Sequence, residues 1–263
     1  MSGPDPDFPP TLLEAALRSG RAAAVVLFVA VPGVCWVWII AMARDMYGPM
    51  SGASRWAMTP SWDATHLLLL WTMWAVMMVA MMLPSAAPTI LLYGSAARRR
   101  HGPEATSLIY ALSAGYVSIW VLFSVLVTAF QRALGALFLL SPMMEAATPQ
   151  VGGALLLVAG GYQWTPLKQA CLTACQSPLG FLLSGWRDGL RGAFRMGLDH
   201  GIHCLGCCWA LMLLLFAGGV MNLAVIGSLT AFVLFEKLGL FGRHGARISG
   251  VLLVASGCWV VSR

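Results

Sequence analysis

Three thiols and two imidazoles crowd into one short run, His200-Gly201-Ile202-His203-Cys204-Leu205-Gly206-Cys207-Cys208. At 3.6 residues per turn, His200, Cys204 and Cys208 share one helical stripe and His203 and Cys207 the adjacent one. One helix face therefore offers five soft or borderline metal donors. The surrounding segment is apolar, so these groups cost free energy unless they bind a metal, pair with one another or bond to neighbouring helices. Asp199 precedes the run and is placed to orient His200 or His203 as an acceptor behind the metal ligands.

Two further sets carry the same chemistry. Met73, Met77 and Met81 recur at four-residue spacing in the run 71–84, beside a second column of Trp74, Met78 and Met82. Thioether sulfur is soft and selects Cu(I) over harder ions, so Met77 and Met81 are candidate ligands. Methionine also fills irregular gaps in helical cores, and that reading stands beside the first. Cys171 and Cys175, four apart, point the same way on a short helix and form a second candidate thiol pair. Cys35 and Cys258 are isolated in apolar stretches and read as packing residues.

The elements that position these groups are membrane helices. Hydrophobic residues make up 59% of the 263-residue chain and charged residues only 10%, against roughly 25% charged in an average soluble domain. The fold class is all-α, a polytopic transmembrane bundle in a single integral membrane domain over 1–263. Apolar runs at 22–42, 67–92, 108–130, 151–164, 196–220, 223–235 and 248–261 give seven spans. The fourth, sixth and seventh are shorter than the roughly 20 residues a bilayer core requires, which leaves six as the other count.

The basic residues alternate between rich and poor loops. Arg18, Arg21, Arg98, Arg99, Arg100, Lys168, Arg187, Arg191, Arg195, Lys237, Arg243 and Arg247 fall on one side, and Arg44, Arg55, Arg132 and Arg263 on the other. Positive loops remain cytoplasmic, which puts the N-terminus inside and the C-terminus outside a bacterial cytoplasmic membrane. The net charge of +6 is thus an orientation signal directed at the lipid bilayer, with no nucleic-acid role. Residues 1–20 form a cytoplasmic tail, and the first apolar run exceeds a signal-peptide core, so it reads as a retained helix.

The cytoplasmic loop 165–195 has its own amphipathic pattern. Leu182, Trp186, Leu190 and Phe194 alternate with Arg187, Arg191 and Arg195, the spacing of a helix lying in the membrane interface. Gly185, Gly189 and Gly192 weaken it. The loop 44–63, with Met46, Met50, Met58, Trp56 and Trp62, reads as an outer-surface segment. Glu236 and Lys237 read as a boundary pair reaching water, and His66, His101 and His244 as water-facing. Gly218 to Asn222 forms a tight turn in which Asn222 caps the next helix.

Three segments together resemble a known family. They are Met73-Trp74-x-x-Met77-Met78-x-x-Met81-Met82-x-Pro84, then Gly161-Tyr162-Gln163-x-x-Pro166-Leu167-Lys168-x-x-Cys171-x-x-x-Cys175, then Gly201-x-x-Cys204-x-Gly206-Cys207-Cys208-Trp209 through Met221-Asn222 and Glu236-Lys237. The chain is similar over this stretch to bacterial integral membrane proteins described as metal-binding and copper-chaperone-like. The resemblance implies membrane location and metal binding, with copper as the metal.

These observations lead to Cu(I) handling, as chaperone, delivery protein or facilitator, with a copper-accepting protein as partner. Zinc is the other metal a Cys/His set fits. No nucleotide-hydrolysis motif accompanies the candidate site, and no hydrolytic triad stands out, so a non-catalytic role fits better than an enzyme. The rival is a membrane thiol–disulfide oxidoreductase using Cys204 and Cys207, whose spacing suits redox exchange. Haem ligation through His200 or His203 lacks the Cys-x-x-Cys-His signature.

Overall fold

A computed structural model describes residues 23–48, 63–141, 143–239 and 245–263. Every long element in it is helical, as apolar runs with few turn residues require. A π-helical turn, Val26–Ala30, leads into α1 (Val31–Met46). Next comes α2 (Ala64–Met82), capped by Asp63, whose carboxylate accepts the His66 N–H at 2.8 Å. Pro84 cannot continue the α-helical hydrogen bonding, so a 3-10 turn (Pro84–Ala86) joins α2 to α3 (Ala87–His101). The 32-residue α4 (Ala105–Ala136) follows and serves as the central post.

The second half is built from α5 (Pro149–Tyr162), α6 (Pro166–Gln176), α7 (Pro178–Gly185) and the 24-residue α8 (Gly189–Met212). A one-turn helix, α9 (Leu214–Gly218), continues α8. Gly219 then turns the chain at φ 92°, a conformation that favours glycine. Asn222 caps α10 (Leu223–Lys237) by accepting the N–H of Ala224 and Val225, as its position after the turn suggests. The last helix is α11 (Gly245–Val261).

Helices thus occupy all seven apolar runs, but they are unequal. Four of them, Ala23–Met46, Ala64–His101, Ala105–Ala136 and Gly189–Gly218, are long and apolar enough to cross a membrane. The others, α5, α10 and α11, have 14, 15 and 17 residues. At 1.5 Å per residue they are about 21, 22 and 26 Å long, short of a hydrocarbon core of about 30 Å. Four of the seven expected spans thus have the length to cross, and α5, α10 and α11 are short, as their apolar runs anticipated.

Two glycine seams organise the packing. On α4 and α8 the backbones approach so closely that a Cβ at Gly115 would lie 2.1 Å from the Phe194 carbonyl oxygen, and one at Gly197 2.0 Å from that of Leu112. A similar seam joins α5 and α11 through Gly153, Gly160, Gly250 and Gly257. Small residues allow such approaches between apolar helices, where van der Waals contact holds the pair together. Around the first seam, α4 is the neighbour of α2 on one side and α8 on another, and α8 also packs against α6.

The 165–195 segment is not one amphipathic helix. It divides into α6, α7 and the first turns of α8, interrupted between Gly185 and Gly189. Trp186 falls in the interruption, where its ring stacks on Tyr93 at 5.1 Å and beneath the Arg100 guanidinium at 4.5 Å. The glycines outweigh the four-residue apolar stripe. The tail 1–20 and Met50, Trp56, Met58, Trp62, Arg55, Arg243 and His244 lie outside the described residues.

Candidate metal centre

The α4 seam fixes the rotation of α8 and turns its sulfur-bearing face into the protein. Cys204, Cys207, Cys208 and His200 are all buried. Their neighbours come from four other helices, and the thiols divide into two groups.

Cys204 belongs to a polar network beneath α4. Its Sγ lies 2.7 Å from the Nζ of Lys237 and 2.9 Å from the Tyr116 hydroxyl. Lys237 also donates to Ser85 Oγ at 2.9 Å, and both Tyr116 and Ser85 donate to the carbonyl of Met82. The break at Pro84 puts Ser85 here, because the 3-10 turn swings its hydroxyl under α4.

Cys207 faces α6. Its Sγ is 4.0 Å from that of Cys175. Cys171, one turn earlier on α6, rests against Gly206, where a Cβ would approach its sulfur to 2.6 Å. Tyr162 donates its hydroxyl to the Gly206 carbonyl and seals the same junction. The thiols of Cys207 and Cys208 both point to the Cys204 carbonyl, at 3.1 and 2.8 Å. Cys171, Cys175 and Cys207 thus gather on one helix junction, and Cys204, about 60° round α8 from Cys207, faces Lys237 and Tyr116 instead.

Glu236 and Lys237 do not reach water. Glu236 pairs with Lys168 of α6 at 2.7 Å, with side-chain exposures of 3% and 0%. Gln176 adds a hydrogen bond to the Glu236 carbonyl at 2.8 Å. Lys237 turns to Cys204 instead of its sequence neighbour, because consecutive helical residues project about 100° apart. Nothing in the spacing of Lys168, Tyr116 or Ser85 marks them as partners of this centre; the position of Lys168 three residues before Cys171 was the one available hint.

The histidines are separate from the thiol junction. His200 lies between the rings of Tyr116 and Phe181, at 5.5 and 5.3 Å, and its Nδ1 is buried without a hydrogen-bond partner. His203 is half-buried, with Nδ1 2.7 Å from the backbone carbonyl of Asp199. The Asp199 carboxylate turns away to Arg187 at 3.2 Å, so Asp199 orients His203 through its main chain. His66, expected to face water, is buried because it sits on the inward side of the first turn of α2.

Every member of the methionine columns is buried, and α2 packs on α1 and α4. Met77 and Met81 therefore point into protein. A link between this helix and the thiols runs from the Met82 carbonyl through the Tyr116 hydroxyl to Cys204. Among the described residues, no three His, Cys, Asp or Glu side chains converge on a common point.

A family model described as "PpoB2: Copper chaperone" matches residues 71–260. No curated protein and no solved structure matches the chain.

Proposed function

The chain belongs to the PpoB2 copper chaperone family, and from that premise we propose that it is an integral membrane chaperone whose cargo is Cu(I). Cys175 and Cys207 hold the ion, with Cys171 and Cys208 beside them. Met77 and Met81 provide thioether positions further along, and Cys204, His200 and His203 line the approach. The four long apolar helices support a place in the bacterial cytoplasmic membrane. The basic-loop alternation supports an N-terminus inside, and the copper chaperone family supports delivery to a copper-accepting protein.

The observation that carries the reading is the 4.0 Å between Cys175 Sγ and Cys207 Sγ. A disulfide needs about 2.05 Å. Two metal–thiolate bonds of about 2.3 Å, the length zinc–thiolate bonds take, are enough to bridge the gap. Soft thiolates favour Cu(I), and a tetrahedral zinc site needs four donors aimed at one point, whereas among the described residues no three converge.

Charge supports the same fit. The buried Lys, Arg, Asp and Glu side chains among the described residues are Lys168, Lys237 and Glu236, which leave one positive charge unmatched. A Cu(I) ion held by two thiolates carries one negative charge. Isolated charge is costly in an apolar interior, so a centre that neutralises the excess suits this cluster. The dithiol rival lacks comparable support, since Cys204 and Cys207 project to different partners.

The test is copper analysis of protein purified in detergent, anaerobically and with reductant. About one copper per chain is expected from the soft-donor chemistry, and its loss in Cys175→Ser/Cys207→Ser. Undiminished copper in that variant overturns the assignment.

A further inference from the structure

A cleft of about 540 Å³ opens between α6, α7 and α8, lined in part by Ala170, Ala174, Phe181, Ser184, Asp199 and His203. That volume is in the range of small-molecule sites, about 300–1,000 Å³, and is far more than a bare ion needs. One donor, His203, lines its wall, and a second, His200, lies behind the Phe181 ring. His203 has Nδ1 committed to the Asp199 carbonyl, which leaves Nε2 as the nitrogen free to take a ligand. His200 is 3% exposed, and its Nδ1 has no partner. Phe181 stands between them, its ring centroid 6.3 Å from that of His203 and 5.3 Å from that of His200.

Helical spacing connects this wall to the thiols. His203 precedes Cys207 by four residues, about 6 Å along the axis of α8 and on the same stripe. On the opposite wall, Ala170 and Ala174 immediately precede Cys171 and Cys175 on α6. Along α8 the cleft therefore leads toward Cys207, which faces Cys175.

We infer that this cleft is the port through which Cu(I) enters as a complex with a small thiol, with His203 as its first protein ligand and Phe181 as the gate to His200 and the buried cysteines. The inference rests on the copper reading above. In the exchange, a Cu(I) ion bound by two carrier thiolates gives up two Cu–S bonds and gains bonds to Cys175 and Cys207. The two cysteine thiol protons pass to the departing thiolates, so charge balances and copper stays Cu(I). The imidazole of His203 is a neutral donor that holds the ion between the two sets of sulfur. The ring of Phe181 keeps water and free carrier from the cysteine pair.

The test is anaerobic stopped-flow loading of the reduced, detergent-solubilised full chain with Cu(I)–glutathione. The rate is read from the ultraviolet thiolate-to-copper absorption, and the final copper per chain from elemental analysis. His203→Ala is expected to load about tenfold more slowly, a barrier rise of about 1.4 kcal/mol, with final copper unchanged. Ala170→Trp, which plugs the exposed wall without touching the core, slows loading in the same way, and Phe181→Ala speeds it. Wild-type rates in both His203→Ala and Ala170→Trp overturn the port, as does reduced final copper in His203→Ala, which makes that residue a resident ligand. Absence of copper uptake by the unsubstituted chain overturns the copper reading itself.

Discussion

The ammonium nitrogen of Lys237 lies 2.7 Å from the sulfur of Cys204, and both side chains are buried. A cation in an apolar interior survives only where its charge and donors are met. Here Cys204 and Ser85 meet two of the three donors. In this structure Lys237 does not escape to water as its position in the last turn of α10 suggests; it joins α10 to α8 and to the turn after α2.

Removing the ammonium group leaves Cys204 and Ser85 without their donor. Lys237→Met is expected to cost about 1–3 kcal/mol, the penalty for leaving a buried neutral partner unsatisfied, offset in part by the loss of a buried charge. Lys237→Met/Cys204→Ala should lose less than the sum of the single changes, because the second change removes the sulfur that the first leaves without its donor. Denaturant unfolding in detergent measures both, and strict additivity would refute the coupling.

Lys168 and Glu236 give an independent case. Lys168→Met leaves the Glu236 carboxylate buried without its cation and should cost about 3–5 kcal/mol. Adding Glu236→Gln removes the stranded charge and should restore part of that loss. A double variant no more stable than Lys168→Met would show that the 2.7 Å pair is not an energetic unit.

The α4–α8 seam predicts opposite signs for two glycine changes. Gly197→Ala drives a methyl to 2.0 Å from the Leu112 carbonyl oxygen and should cost about 1–3 kcal/mol or more from overpacking. Gly227→Ala, in α10 with nothing within 4 Å of the new Cβ, should instead stabilise by about 0.5–1 kcal/mol through helix propensity. Paired thermal melts decide this; a melting point unmoved by Gly197→Ala would contradict the seam.

The methionine columns separate by function more than by stability. Met77→Leu/Met81→Leu keeps volume nearly constant and should cost under about 1.5 kcal/mol for each change. Copper retained after purification should stay at the wild-type level, since the 4.0 Å thiol pair lies on α6 and α8. A halved copper content would move the principal site to α2.

Much of the architecture was legible in the residues. Apolar runs longer than a bilayer core located α1, α2, α4 and α8, because hydrophobic length is a local property of the chain. Pro84 and Gly219 mark a break and a turn, and Asn222 marks a cap, each through its own backbone chemistry. The 165–195 stripe misled because a four-residue apolar period persists across a helix end. The three glycines between 185 and 192 were the stronger signal.

The sequence by itself determined an all-helical chain with helices long and apolar enough to cross a membrane and with soft metal donors on α2, α6 and α8, since composition and periodicity act residue by residue. Only the tertiary structure decided which donors meet: Cys207 with Cys175, Cys204 with Lys237 and Tyr116, Glu236 with Lys168. Those pairings depend on how far α8 is rotated against α4, and that angle is set by close backbone contact at Gly115 and Gly197. Such contact joins residues some eighty positions apart, and no local pattern in either helix encodes it.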